Sequence, residues 1–125
     1  MAVWSAEELD VIGNAEELQI SSRRRDGSLR EPVTIWVVRA GDDLYIRSYR
    51  GAEGSWYRGA RASRRGRIRA GGVDRDVDFD AVTDPGANDR VDAAYRGKYR
   101  GDNAQYVDPM IAPQARATTM RLLPR

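Results

Sequence analysis

The sequence predicts an α+β domain: a small antiparallel β-barrel of about six short strands with short flanking helices. Three observations predict it. Short runs rich in β-branched and aromatic residues recur between turn residues, at 18–23, 33–38, 44–49, 67–70, 73–79 and 117–123. Helical spacing is confined to brief segments between and beside these runs. The chain is 125 residues long, 41% hydrophobic and 32% charged, which is one domain's worth of globular composition. Residues 1–125 therefore read as a single domain.

The first element is a helix over 5–13. Ser5 is placed as its N-cap, with Glu8 three residues on to complete a capping box, and Trp4 and Leu9 fall at the positions of a hydrophobic staple. Residues 18–23 extend as a strand into a turn marked by Asp26-Gly27. Val33-Thr34-Ile35-Trp36-Val37-Val38 is apolar or β-branched at every position, which predicts one central strand buried on both faces. Gly41-Asp42 turns the chain back into 44–49. There Leu44, Ile46 and Ser48 share one face, and Tyr45, Arg47 and Tyr49 the other. A helix capped by Ser55 is expected over 55–63, then a hairpin about Gly71-Gly72. Pro85-Gly86 reads as a break before a helix over 88–99 with Tyr95 and Tyr99 on its packing face. Residues 106–111 read as irregular or one turn, and 117–123 as a closing strand. Trp36 is assigned to the core.

Composition removes whole classes of chemistry. There is no cysteine and no histidine, so disulfides, thiolate metal sites, a cysteine nucleophile, a histidine base and a haem-ligating histidine are all excluded. Catalysis has to come from carboxylates, Tyr, Ser, Arg or a bound cofactor. The start of the chain lacks the basic and apolar regions of a signal peptide, and no apolar run approaches the roughly 18 residues of a membrane span, so the cytoplasm is the expected compartment.

Net charge is only +2, but it is unevenly spread. Residues 21–75 carry 14 Arg and 6 acidic residues, a local +8, and the rest of the chain carries −6. A basic middle points to an anionic partner, while the single lysine, Lys98, shows a strong bias to arginine that codon usage also explains.

Three features bear on chemistry. The turn Arg23-Arg24-Arg25-Asp26-Gly27-Ser28-Leu29-Arg30 offers guanidinium forks and exposed amides to a phosphate, or is a solvated charged turn. The stretch 48–57 (Ser-Tyr-Arg-Gly-Ala-Glu-Gly-Ser-Trp-Tyr) runs from a strand end through a glycine loop into a helix start, a natural anion site, with aromatics that flank a planar ring or anchor the loop. Asp74, Asp76, Asp78 and Asp80 alternate along one strand face. Nothing beside them completes a cation cage, so the row reads as a solvated, edge-protecting face and no metal site is assigned.

On these residues the segment 32–77 resembles the flavin-binding split-barrel group, within it the deazaflavin-dependent nitroreductases and, more distantly, the pyridoxamine phosphate oxidases. The basic turn precedes Pro32, a hairpin V-T-I-W-V-V-R-A-G-D-D-L-Y-I-R-S follows, and Gly51 and Ser55-Trp56-Tyr57-Arg58 come next. The whole chain is similar to an uncharacterised bacterial family of the same group. The likeness rests on its Trp4-x-x-x-Glu8-Leu9 start, Trp56-Tyr57-Arg58, the run 66–73 (G-R-I-R-A-G-G-V) and the segment 93–99 (A-A-Y-R-G-K-Y).

The resemblance implies a split barrel, a homodimer, and FMN or a deazaflavin held near the subunit interface. It implies that Arg25, Gly27, Ser28 and Arg30, then Ser48, Arg50 and Gly51, meet cofactor phosphate, and that Trp56 and Tyr57 lie close by. The nitroreductases use lysines in these stretches, whereas this chain has arginines.

The leading expectation is a flavin- or deazaflavin-dependent oxidoreductase acting on a small molecule, with Tyr45, Tyr49 or Tyr57 as the proton donor and no catalytic residue singled out. The alternative is a non-catalytic module that binds a small anionic or flavin-like ligand on the same barrel. Nucleic-acid binding through the arginine-rich middle is a third reading, disfavoured by the near-neutral total charge and the lack of a motif.

Overall fold

The computed structural model describes residues 3–125, with the side chains of residues 102 and 103 left aside. Helix α1 (Ala6–Asn14) begins at the expected capping box: the Ser5 hydroxyl accepts from the Glu8 amide, and the Glu8 carboxylate accepts from the Ser5 amide. The bond from the Ser5 amide foremost, and then those donated by the Arg75 guanidinium, hold the Glu8 carboxyl below its ordinary value. Trp4 and Leu9 are both buried in one core cluster, as a staple requires.

Seven strands follow: β1 (Leu18–Ser22), β2 (Val33–Ile35), β3 (Val38–Ala40), β4 (Asp43–Ile46), β5 (Arg65–Ala70), β6 (Val73–Ala81) and β7 (Met120–Pro124). They form one antiparallel sheet in the order β2-β1-β5-β6-β7-β4-β3. The sheet curls into a half-barrel. Helices α2 (Ser55–Ser63), α3 (Pro85–Lys98), α4 (Val107–Ile111) and α5 (Pro113–Arg116) pack around it, with short 3-10 turns at Gly51–Glu53 and Gly101–Tyr106.

Strand alternation separates two cores. Leu44, Ile46, Ile68, Val77, Phe79 and Leu122 point into the barrel, which α1 and α2 close with Leu9, Ile12, Tyr57 and Ala60. On the other side of β4, Tyr45 joins Val91, Tyr95 and Tyr99 of the α3 segment and Met110 of α4. Tyr95 and Tyr99 are thus the packing face the spacing predicts. At Gly66 the barrel leaves no room for a side chain. An added Cβ would crowd the Ser21 carbonyl oxygen and stand 2.8 Å from the Phe79 ring.

The structure corrects several expectations. The run 33–38 is two strands, not one, and they occupy opposite edges of the sheet. Val33 and Thr34 are exposed, while Val37 and Val38 are fully buried. Trp36 and Val37 form the crossing between them, and Trp36 is half-buried rather than core. Gly54, not Ser55, is the N-cap of α2, and no side chain caps that helix. Pro85 opens α3 instead of breaking the chain, because a proline is well suited to a first turn and the Asp84 side chain accepts from the Ala87 amide. Residues 113–116 are helical, so the last strand begins at Met120.

The four aspartates lie on β6, an interior strand between β5 and β7, so they protect no edge. Arginines pair with them instead: Arg67 and Arg69 with Asp74, Arg67 and Arg23 with Asp76, Arg125 with Asp78, and Arg121 with Asp80. Hydrogen bonds from Arg69 and Arg67 hold the Asp74 carboxyl below its ordinary value. Three arginines of the basic middle, Arg23, Arg67 and Arg69, are thus paired within the fold.

A candidate cofactor site of two adjoining clefts

Two clefts share one wall, Trp56 of α2. The first, about 310 Å³, is bordered by Arg24 and Arg30 of the basic turn, Ser22 of β1, and Ser55 and Trp56 at the start of α2, with Glu31 beside them. Two guanidiniums, two hydroxyls and an uncapped helix start form a donor set suited to a phosphate. Gly59 of α2 lets this wall come close, since a Cβ there would lie 2.7 Å from the Ser22 hydroxyl and 3.1 Å from Arg30 Nε.

The second cleft, about 370 Å³, is walled by Trp36, Tyr49, Trp56 and Tyr106, with Glu16 and Glu17 on one side. Trp36 is fixed by a parallel stack on Tyr99, with ring centroids 3.7 Å apart and planes 4° from parallel. Behind the cleft lies Arg47, whose side chain is fully buried. Arg47 donates to Asp92 at 2.5 Å, to Thr119 at 2.8 Å, and to the carbonyls of Met110 and Asn88 at 3.0 Å each. Asp92 also accepts from Arg116 at 2.6 Å.

The α3 segment supports the cleft from below. Lys98 donates to the carbonyls of Ala15 and Val37, and the Tyr99 hydroxyl donates to the Glu16 carbonyl and accepts from the Val37 amide. Burial lowers the Lys98 ammonium to about 8, and burial raises the Tyr95 and Tyr99 phenols.

The residues singled out from the sequence are distributed as follows. Arg30 and Trp56 border the first cleft together. Arg25, Gly27 and Ser28 lie in the turn that carries Arg30; Gly27 takes φ +89°, and Ser28 donates to Asp26. Ser48 is buried, its hydroxyl without a hydrogen-bond partner among the described residues, 2.5 Å from where a Cβ on Gly54 would stand. Arg50 is exposed, and Gly51, at φ +66°, sits against Gln114 of α5. Tyr57 is in the barrel core, its ring edge-on to Trp56. Of the three candidate proton donors, only Tyr49 borders the aromatic cleft. Sequence reasoning missed Tyr106, Glu16 and Glu17, which carry no motif and reach the site only through the fold. It also missed Arg47; an arginine alternating with Tyr45 on a mostly buried strand was the available signal.

A curled antiparallel half-barrel with helices on its flanks is the fold of the flavin-binding split-barrel group. A FAD-binding protein from Mesorhizobium loti aligns over 99% of this chain and 92% of its own, with TM-score 0.61 and 18% identity. A protein from Listeria innocua, provisionally described as a pyridoxamine 5′-phosphate oxidase, aligns over 95% and 91%, with TM-score 0.66 and 12% identity. An F420 reductase aligns over 94% and 90%, with TM-score 0.53 and 12% identity. At these identities the likeness is one of fold. The chain itself belongs to the family DUF2255, described as an uncharacterized protein conserved in bacteria, whose profile matches residues 8–122. No curated protein matches the chain in sequence. No described helix is long and apolar enough to cross a membrane.

Proposed function

We propose that the protein binds a phosphate-bearing flavin-type cofactor, FMN or a deazaflavin, and works as an oxidoreductase on a small molecule. The observation that carries this reading is the shared wall. Trp56 borders both an arginine-lined cleft suited to phosphate and an aromatic cleft suited to a planar ring. Structural neighbours described as FAD-binding or as an F420 reductase support it. When bound, such a cofactor supplies hydride transfer. The chain's own part is to grip phosphate with Arg24, Arg30 and Ser55, orient the ring against Trp56, and exclude water with the aromatic walls. Arg25, Gly27 and Ser28 would shape the turn that presents Arg30, and Ser48, Arg50 and Gly51 the loop that leads into α2. Dimerisation belongs to the same reading: Leu29 and Val33, beside the β2 edge, are exposed hydrophobic residues.

The test is titration of the purified protein with FMN and with the deazaflavin, followed by desalting and an absorbance spectrum. Retention of either, weakened about tenfold or more in Arg30→Ala by loss of a charge-assisted bond, supports the reading. Retention of neither removes it. Retention without reduction by a nicotinamide, or turnover of any acceptor, favours the non-catalytic binding module.

A further inference from the structure

Lys98 is the one lysine of the chain, and the proposed function makes no chemical use of it. It is half-buried and lines a third cleft, about 350 Å³, made by residues of α1, β3 and α3. This cleft shares no lining residue with the two described above. Gly97 lies on the same wall. Nothing stands within 4 Å of where a Cβ on it would be, so no other segment covers the helix surface next to Lys98.

Two of the three N–H directions of the Lys98 ammonium are taken. Nζ donates to the Ala15 carbonyl at 2.6 Å and to the Val37 carbonyl at 2.5 Å. A neutral amine keeps both bonds, because it still has two N–H groups, and its lone pair takes the third direction. Burial favours that neutral form and lowers Lys98 to about 8, while the charge of Glu16 acts in the opposite direction. The other charged groups on this cleft, Arg39 and Asp10, bond each other at 2.7 Å. The Tyr99 ring lies 5.2 Å from the Lys98 nitrogen, and its phenol, raised by burial, is uncharged at neutral pH. An uncharged amine on an open cleft is a nucleophile.

We infer that Lys98 is a site of covalent acylation by activated acyl compounds, thioesters or acyl phosphates. In this step Nζ attacks the acyl carbon and an N–C bond forms. The C–S or C–O bond to the leaving group breaks, and a thiol or a phosphate departs with the proton given up by nitrogen. Nothing is oxidised or reduced. The amide that results keeps one N–H, enough to hold one of the two carbonyls. The neutral imine that an aldehyde forms would hold neither, which favours the acyl donor. Acylation also removes the positive charge that Lys98 can carry and leaves either the Ala15 or the Val37 carbonyl without its bond from Nζ.

The experiment exposes the full chain, without added cofactor, to acetyl phosphate and, separately, to the acetyl thioester of N-acetylcysteamine. Peptide mass mapping follows the modification of Lys98 with time and separates it from that of the chain's amino terminus. The reference is the same chain in concentrated guanidinium chloride, where Lys98 is an ordinary lysine. At neutral pH the expected result is acetylation of Lys98 about tenfold faster in the folded protein, because its larger neutral fraction outweighs its lower basicity. The folded-state rate should level off above about pH 8, whereas the unfolded rate climbs toward 10.5. Reaction with either reagent in this pattern supports the inference, and the faster reagent names the source of the acyl group. A folded-state rate equal to or below the unfolded one with both reagents, or a folded-state rate that climbs in parallel with the unfolded one, overturns it. Neither result depends on whether FMN or the deazaflavin binds.

Discussion

Arg47 and Asp92 form an ion pair at 2.5 Å in the interior, with no solvent exposure of the arginine side chain and 12% exposure of the aspartate. The pair ties strand end to helix, because β4 runs into Arg47 and α3 carries Asp92. Removing one partner would leave a charge without compensation in a buried site. Asp92→Ala is therefore expected to lose roughly 3–5 kcal/mol of stability, read as a lower midpoint in urea unfolding. A loss under about 1 kcal/mol would mean that water reaches Arg47 when its partner is gone.

Lys98 makes stability depend on alkaline pH. Its folded value is about 8 against an ordinary 10.5, so between these values the unfolded chain binds more protons than the folded one. Stability should rise as pH climbs from about 8 toward 10.5. Above about 10 the raised Tyr95 and Tyr99 phenols act in the opposite direction, since only the unfolded tyrosines ionise there. Urea midpoints measured across this range should show the rise in the native protein and lose it in Lys98→Met.

Two glycines predict opposite outcomes. Gly66→Ala drives a methyl group against the Ser21 carbonyl and the Phe79 ring and should cost about 1–3 kcal/mol. Gly97, in α3, has open space where a Cβ would go, so Gly97→Ala should gain up to about 1 kcal/mol from helix propensity. Thermal melting of the two variants side by side checks both signs.

The arginine–aspartate ladder on the outer face should matter little. Arg67 bonds Asp74 and Asp76, but all three side chains are about a third or more exposed. Arg67→Ala is expected to cost about 1 kcal/mol or less, and the cost should shrink in molar salt. A large, salt-independent loss would show that the ladder shapes the sheet instead of decorating it.

Where local chemistry decides an element, the sequence is a good guide. Ser5 and Glu8 announce α1 because the cap is made by neighbours in the chain, and Gly71-Gly72 announces the β5–β6 hairpin because both glycines take positive φ. The division of 33–38 is not legible. Trp36-Val37 contains no glycine or proline, and what ends the strand there is distant: Lys98 and Tyr99 take up the Val37 backbone groups that a ladder would otherwise use. The candidate site is legible in the same uneven way. Arg30 and Trp56 stand out as a basic turn and an aromatic helix start. Tyr106 and Glu17 are ordinary residues until the fold places them on one cleft.

The crossing at Trp36-Val37 couples the site to the opening of the domain. Ile35 and Val38 are three residues apart, so the two edges of the sheet stand within roughly 11 Å of each other at this corner. Side chains at the end of α3 hold the short span in place. Fraying of that helix end would free the Val37 amide and release the Tyr99 ring from Trp36 in one event. Hydrogen exchange at Val37 should then proceed with the same opening free energy as the amides of the last turn of α3, making the aromatic cleft and that turn a single unit of local unfolding.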